Sequence, residues 1–98
     1  MTNFADMLTK AKAMQDKMKE AQDKIKKIEV EGLGGGNLVK VILTGDYELK
    51  SIIISEEAKK EDQEIVNDLI VAAYNNAKEN LKKKSAEELS KVTGGLNL

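Results

Sequence analysis

"IEVEGLGGGNLVKVILTGDYELKSIIIS", residues 28 to 55, decides the fold. Its apolar residues recur with a period of two. Ile28 and Val30 fall on one face, with Glu29 and Glu31 on the other. Val39, Val41 and Leu43 share a face, with Lys40 and Thr44 opposite. Ile52 and Ile54 share a face, with Ile53 turned away. Alternation of this kind marks half-buried strands. The spacing predicts three, at about 28–33, 37–44 and 49–55, joined as an antiparallel meander. Gly45-Asp46-Tyr47-Glu48 has the composition of a hairpin turn.

The other connection is glycine-rich, with glycines at 32, 34, 35 and 36. A phosphate loop lies between a strand and a helix, whose N-terminal N–H groups receive the anion. Here "NLVKVIL" follows, which reads as strand, and no Lys-Ser/Thr pair is present. The run is read as a loose turn using the positive φ open to glycine.

Upstream the period changes to that of a helix. Phe4, Met7, Ala11, Met14, Met18, Ala21, Ile25 and Ile28 step alternately by three and four. This is a heptad seam, narrower than the apolar face of an ordinary globular helix. A helix over 4–28 would reach roughly 37 Å. One short chain hardly covers such a seam end to end. A second copy is the favoured cover, which makes these eight residues a candidate dimer interface. A hairpin with the second helix is the other cover available.

Downstream, "SEEAKKEDQ" is a polar link, and a second helix is predicted at about 62–91. Asp62 or a neighbouring acid suits its first turn. Ile65, Val66, Leu69, Ile70, Ala73, Ala77 and Leu81 form its apolar face, expected to cover the sheet. Beyond Leu81 only Leu89 and Val92 stay in register, so that half is expected to project or meet a partner. "TGGLNL" is expected to end the helix at glycine and to fray. The fold class is α+β: one domain over 1–98, an α-β-β-β-α subunit with a three-stranded antiparallel sheet.

Composition narrows the chemistry. The chain has no Cys and no His, which removes thiolate nucleophiles, imidazole bases and the common zinc and haem ligands. The carboxylate pairs Glu56-Glu57 and Glu87-Glu88 lie in polar, lysine-rich stretches, where acids stay solvated. No EF-hand spacing occurs. No catalytic residue, cofactor, metal or small-molecule substrate is expected. The N-terminus lacks the apolar core of a signal peptide, and no run of about 18 apolar residues is present. The reading is a soluble cytoplasmic protein without membrane contact.

The formal net charge of -1 hides an asymmetry, for residues 1–28 carry seven Lys and four acids. With Phe4 at heptad position a, Lys10, Lys17 and Lys24 fall at g, and Lys12, Lys19 and Lys26 at b. The acids Asp6, Asp16, Glu20 and Asp23 fall opposite the seam, at c and f. A second cluster comprises Lys78, Lys82, Lys83 and Lys84. On charge pattern alone, a solvated surface with pairs such as Lys12–Asp16 and Glu20–Lys24 leads over nucleic-acid binding.

"LVKVILTGDYELKSIIIS" followed by "EDQEIVNDLIVAAYNNAKENL" resembles the YbaB/EbfC family of bacterial nucleoid-associated proteins. "AMQDKMKEAQDKI" and the closing "GGLNL" match in the same order, so the resemblance spans nearly the whole chain. It implies a tweezer-like homodimer of α-β-β-β-α subunits that binds duplex DNA with little sequence preference. It also implies a place in the nucleoid and a role in its organisation and in gene expression. Lys10 and Lys17 match basic positions of the family's first helix, and Lys82 to Lys84 lie in its C-terminal helix. The candidate DNA-binding residues are thus Lys10, Lys12, Lys17, Lys19, Lys24, Lys78, Lys82, Lys83 and Lys84. The alternative is a dimeric module that bridges replication or repair proteins and touches DNA weakly.

Overall fold

The computed structural model describes residues 3–95. Helix α1 spans Phe4–Lys26, and strands β1 (Glu29–Gly34), β2 (Val39–Thr44) and β3 (Leu49–Ile54) follow. A short 3-10 turn at Ala58–Lys60 leads into helix α2, Gln63–Gly95. Strand order is β1-β2-β3, both pairs antiparallel.

Helix α1 starts where Asn3 caps it: the Asp6 N–H donates to Asn3 Oδ1 at 2.8 Å. Its end falls two residues earlier than expected, and Ile28 lies in the link to β1. Helix α2 runs past Leu89 and through Gly94 to Gly95, so glycine does not stop it at the anticipated place. Leu96 to Leu98, the rest of the anticipated frayed end, lie outside the described residues.

The meander holds, but the glycines divide into two kinds. Gly32 and Gly34 are strand residues, buried beneath α2. A Cβ on Gly32 would overlap the Ala73 carbonyl oxygen and the Ala77 nitrogen, and one on Gly34 the Leu69 carbonyl. Only Gly35 and Gly36 form the turn, at φ 62° and 70°. Glycine therefore lets α2 lie against the β1 backbone as well as reversing the chain.

The core is the alternating set that the sequence marks. Val30, Val39, Val41 and Leu43 pack with Ala58, Ala73, Ala77 and Leu81. Two parts of the expected helix–sheet contact differ. Ile65 is exposed rather than packed on the sheet. Helix α2 lies over β1 and β2, so Ile52 is left partly open on the helix-facing side of β3.

The distal half of α2 meets α1 of the same chain at Val92, while Leu89 stays 37% exposed. Helix α1 runs towards the sheet and α2 leaves it after Leu81, so the two pair antiparallel. The α1 end is seated by Gly45, whose missing Cβ gives room to the Ile25 carbonyl. Ala21 and Val92 are both buried, and Ile25 and Ile28 are half-buried. The expectation that a second chain covers the whole seam thus meets a correction at this end, where α2 supplies the cover. Met14 is half-buried, Met18 is more open, Ala11 is exposed, and Phe4 and Met7 are 73% and 58% exposed. The result is an elongated body of 70 × 18 × 15 Å, a sheet at one end and a helix pair extending from it.

Candidate nucleic-acid interface

Every lysine in the two predicted clusters is exposed. Lys10, Lys12, Lys17, Lys19 and Lys24 lie along α1, whose one-turn spacing carries the g and b rows down the helix. Lys78, Lys82, Lys83 and Lys84 lie on α2, from its last sheet-packed turns into the arm.

Ion pairs sort these lysines. Lys17 Nζ lies 3.7 Å from Glu20, and Lys83 Nζ lies 3.7 Å from Glu79. Lys91, outside both clusters, pairs with Glu88 at 3.0 Å. The anticipated pair Lys12–Asp16 is not formed, and Glu20 turns back to Lys17 instead of pairing with Lys24. Among the described residues Lys10, Lys12, Lys19, Lys24, Lys78, Lys82 and Lys84 make no ion pair. Exposed pairs of this type contribute little, about 0.2–1 kcal/mol, so a competing phosphate displaces them readily.

The helix pair brings together residues distant in sequence. Lys17, Glu20, Ala21 and Lys24 of α1 line one shallow groove with Glu88, Lys91 and Val92 of α2. Three ammonium groups thus meet two carboxylates. Lys91 escaped the sequence reading because its neighbours belong to the other helix. Lys26 and Lys27, exposed at the α1 end beside the sheet, were also left out of the candidate set. The first carries on the b row, and that row was the available signal.

A roomier hollow lies elsewhere, beside the glycine turn. Gly35, Asn37, Leu38, Ser55, Glu56 and Glu57 line it. Two carboxylates at its rim repel a phosphate, and the turn leads into β2 rather than a helix. No helix among the described residues is long and apolar enough to cross a membrane.

Comparison with known proteins bears on the family and the fold. The profile of the YbaB/EbfC DNA-binding family matches residues 1–96. A nucleoid-associated protein of Granulibacter bethesdensis is 43% identical, with 100% of this chain and 92% of the relative covered. One from Agrobacterium fabrum is 42% identical, with the same coverage. One from Afipia carboxidovorans is 38% identical over 100% of this chain and 94% of its own. The crystal structure of an uncharacterized protein of Helicobacter pylori has the same fold, at a TM-score of 0.70 and 18% identity. That match covers 89% of this chain and 92% of the other.

Proposed function

The chain belongs to the YbaB/EbfC DNA-binding family, and from that premise we propose that it is a homodimeric nucleoid-associated protein that holds duplex DNA by its lysine-bearing helix pair. The observation that carries this is the surplus of unpaired lysine on an extended arm. On α1, Lys10, Lys12, Lys19, Lys24 and Lys26 have no ion-pair partner among the described residues. The 23 residues of α1 span roughly 35 Å, about one turn of B-DNA.

The chemistry favours backbone contact. All 16 basic residues are Lys, a compact charge suited to phosphate. Bidentate reading of guanine is the work of Arg, which is absent. The chain has one Phe, two Tyr and no Trp, too few for a platform on which single-stranded bases stack. Low sequence preference follows. A second copy doubles the lysine arms, and the acids elsewhere on the chain are screened beyond about 8 Å in physiological salt. In the cell this reading places the protein on the nucleoid, with a role in its organisation and thereby in gene expression.

A mobility shift with two unrelated duplexes at two salt concentrations tests it. Both duplexes should bind with similar affinity, and both more weakly at the higher salt. Failure to bind either, or discrimination of about a thousandfold between them, as specific binders show, contradicts the reading.

A further inference from the structure

The groove between the two helices of the arm carries an unbalanced charge. Lys17 and Lys24 come to it from α1 and Lys91 from α2, while Glu20 and Glu88 supply its two carboxylates. Three ammonium groups against two carboxylates leave a surplus of one positive charge. Lys17 and Lys24 are two turns apart on one side of α1, about 10 Å along its axis. Lys91 stands on the facing helix, and the buried Ala21 and Val92 lie between. Like charges brought together from two helices repel, so the arm closes here only with anions among them.

Glu88 is placed unlike Glu20 and Glu79. Its side chain is 18% exposed, whereas that of Lys91, 3.0 Å away, is 68% exposed. In Lys17–Glu20 and Lys83–Glu79 both partners are exposed alike. The Glu88 carboxylate thus lies inside the groove and the Lys91 ammonium at its mouth. An ammonium carries three donors, so Lys91 can hold Glu88 with one and present the others outward. Glu88 is therefore a positioning residue for Lys91. Lys24 has no ion-pair partner among the described residues, and Lys17, 3.7 Å from Glu20, likewise keeps donors free.

We propose that one backbone phosphate of a duplex seats in this groove, bridging Lys17 and Lys24 of α1 to Lys91 of α2, so that binding DNA holds the two helices of the arm together. This rests on the duplex-binding reading, and it adds to that reading a seat and a further binding residue, Lys91. A phosphodiester carries one negative charge, which cancels the surplus. The groove offers no amide side chain, guanidinium or aromatic ring that would read a base, so the seat responds to charge and not to sequence.

Hydrogen exchange of the arm amides, with and without a saturating duplex of mixed sequence, tests the seat. In wild type the duplex should slow exchange at Ala21 and Val92 by about tenfold or more, because the helix pair must open before those amides exchange. Lys91→Gln, at an exposed position, should keep its circular dichroism and lose most of that slowing. It should also flatten the slope of log K against log salt by about 0.9. Lys12→Gln, outside the groove, should keep the slowing. Glu88→Gln raises the surplus to two, so exchange at Ala21 and Val92 should quicken in the free protein and return to the bound wild-type rate when duplex is added. A Glu88 that only packs between the helices would leave exchange fast with duplex present, and that result overturns the seat. If duplex binds wild type without slowing these amides, or Lys91→Gln keeps the slowing or the slope, the seat is overturned and duplex binding stands. If wild type binds no duplex at low salt, both are overturned.

Discussion

Gly32 lies so close beneath Ala73 that no side chain fits between the β1 backbone and α2. Both neighbours are main chain, so neither gives way by changing rotamer. Gly32→Ala is expected to cost about 3 kcal/mol, the upper part of the range for overpacking. For a domain of this size that is a fall of roughly 12 °C or more in Tm, measured by thermal denaturation. Gly36→Ala should cost less, since nothing lies within 4 Å of its Cβ position and only its φ of 70° opposes the change.

Asn76 and Asn80 hold the β1 edge through one N–H and one carbonyl. Each bond contributes about 1 kcal/mol. Asn76→Ala should lower stability by about that amount and speed hydrogen exchange at the Leu33 amide, with little effect on the amide of Gly32. An unchanged Leu33 exchange rate would show that the side chain does not protect the edge.

Tyr47 adopts φ 63°, the left-handed region, in the turn between β2 and β3. That conformation costs a side chain such as tyrosine roughly 1 kcal/mol, and asparagine accepts it more readily. Tyr47→Asn should therefore raise the unfolding free energy by up to about 1 kcal/mol, read as a higher denaturant midpoint with unchanged slope. The ring is well exposed, so little packing is lost.

Local features of the fold were legible because they answer to local rules. Val39, Val41 and Leu43 alternate and are fully buried, and the lysine rows fall where the helical period puts them. What escaped the sequence depends on contacts between distant segments. Gly32 and Gly34 look like turn residues until Leu69 and Ala73 are seen above them. Ala21 looks like one member of a continuous seam, yet the length of α2 beyond Leu81 buries it beside Val92. Ile52 alternates correctly, but no period reveals that α2 lies mainly over β1 and β2. The same holds for the candidate interface: the lysine rows can be read along α1, whereas the groove joining Lys17 and Lys24 to Lys91 requires the helix pair.

Ion pairing predicts a ranking among the lysines. Lys10→Ala/Lys24→Ala removes two ammonium groups with no carboxylate partner among the described residues, whereas Lys83→Ala removes one already held by Glu79. The first variant should weaken duplex binding more per charge than the second, in titrations at fixed salt. Equal losses per charge would mean that the Glu79 contact dissolves on binding.

The salt dependence of duplex affinity tests the central claim most directly. Each phosphate neutralised adds about 0.9 to the slope of log K against log salt. The account predicts a steep slope for the wild type, the same for unrelated duplexes. Lys82→Ala/Lys84→Ala and Lys10→Ala/Lys24→Ala should each flatten it and lower affinity alike for every sequence. If both variants bind as tightly as the wild type with the same slope, the lysine arms are only a solvated surface and the account is contradicted.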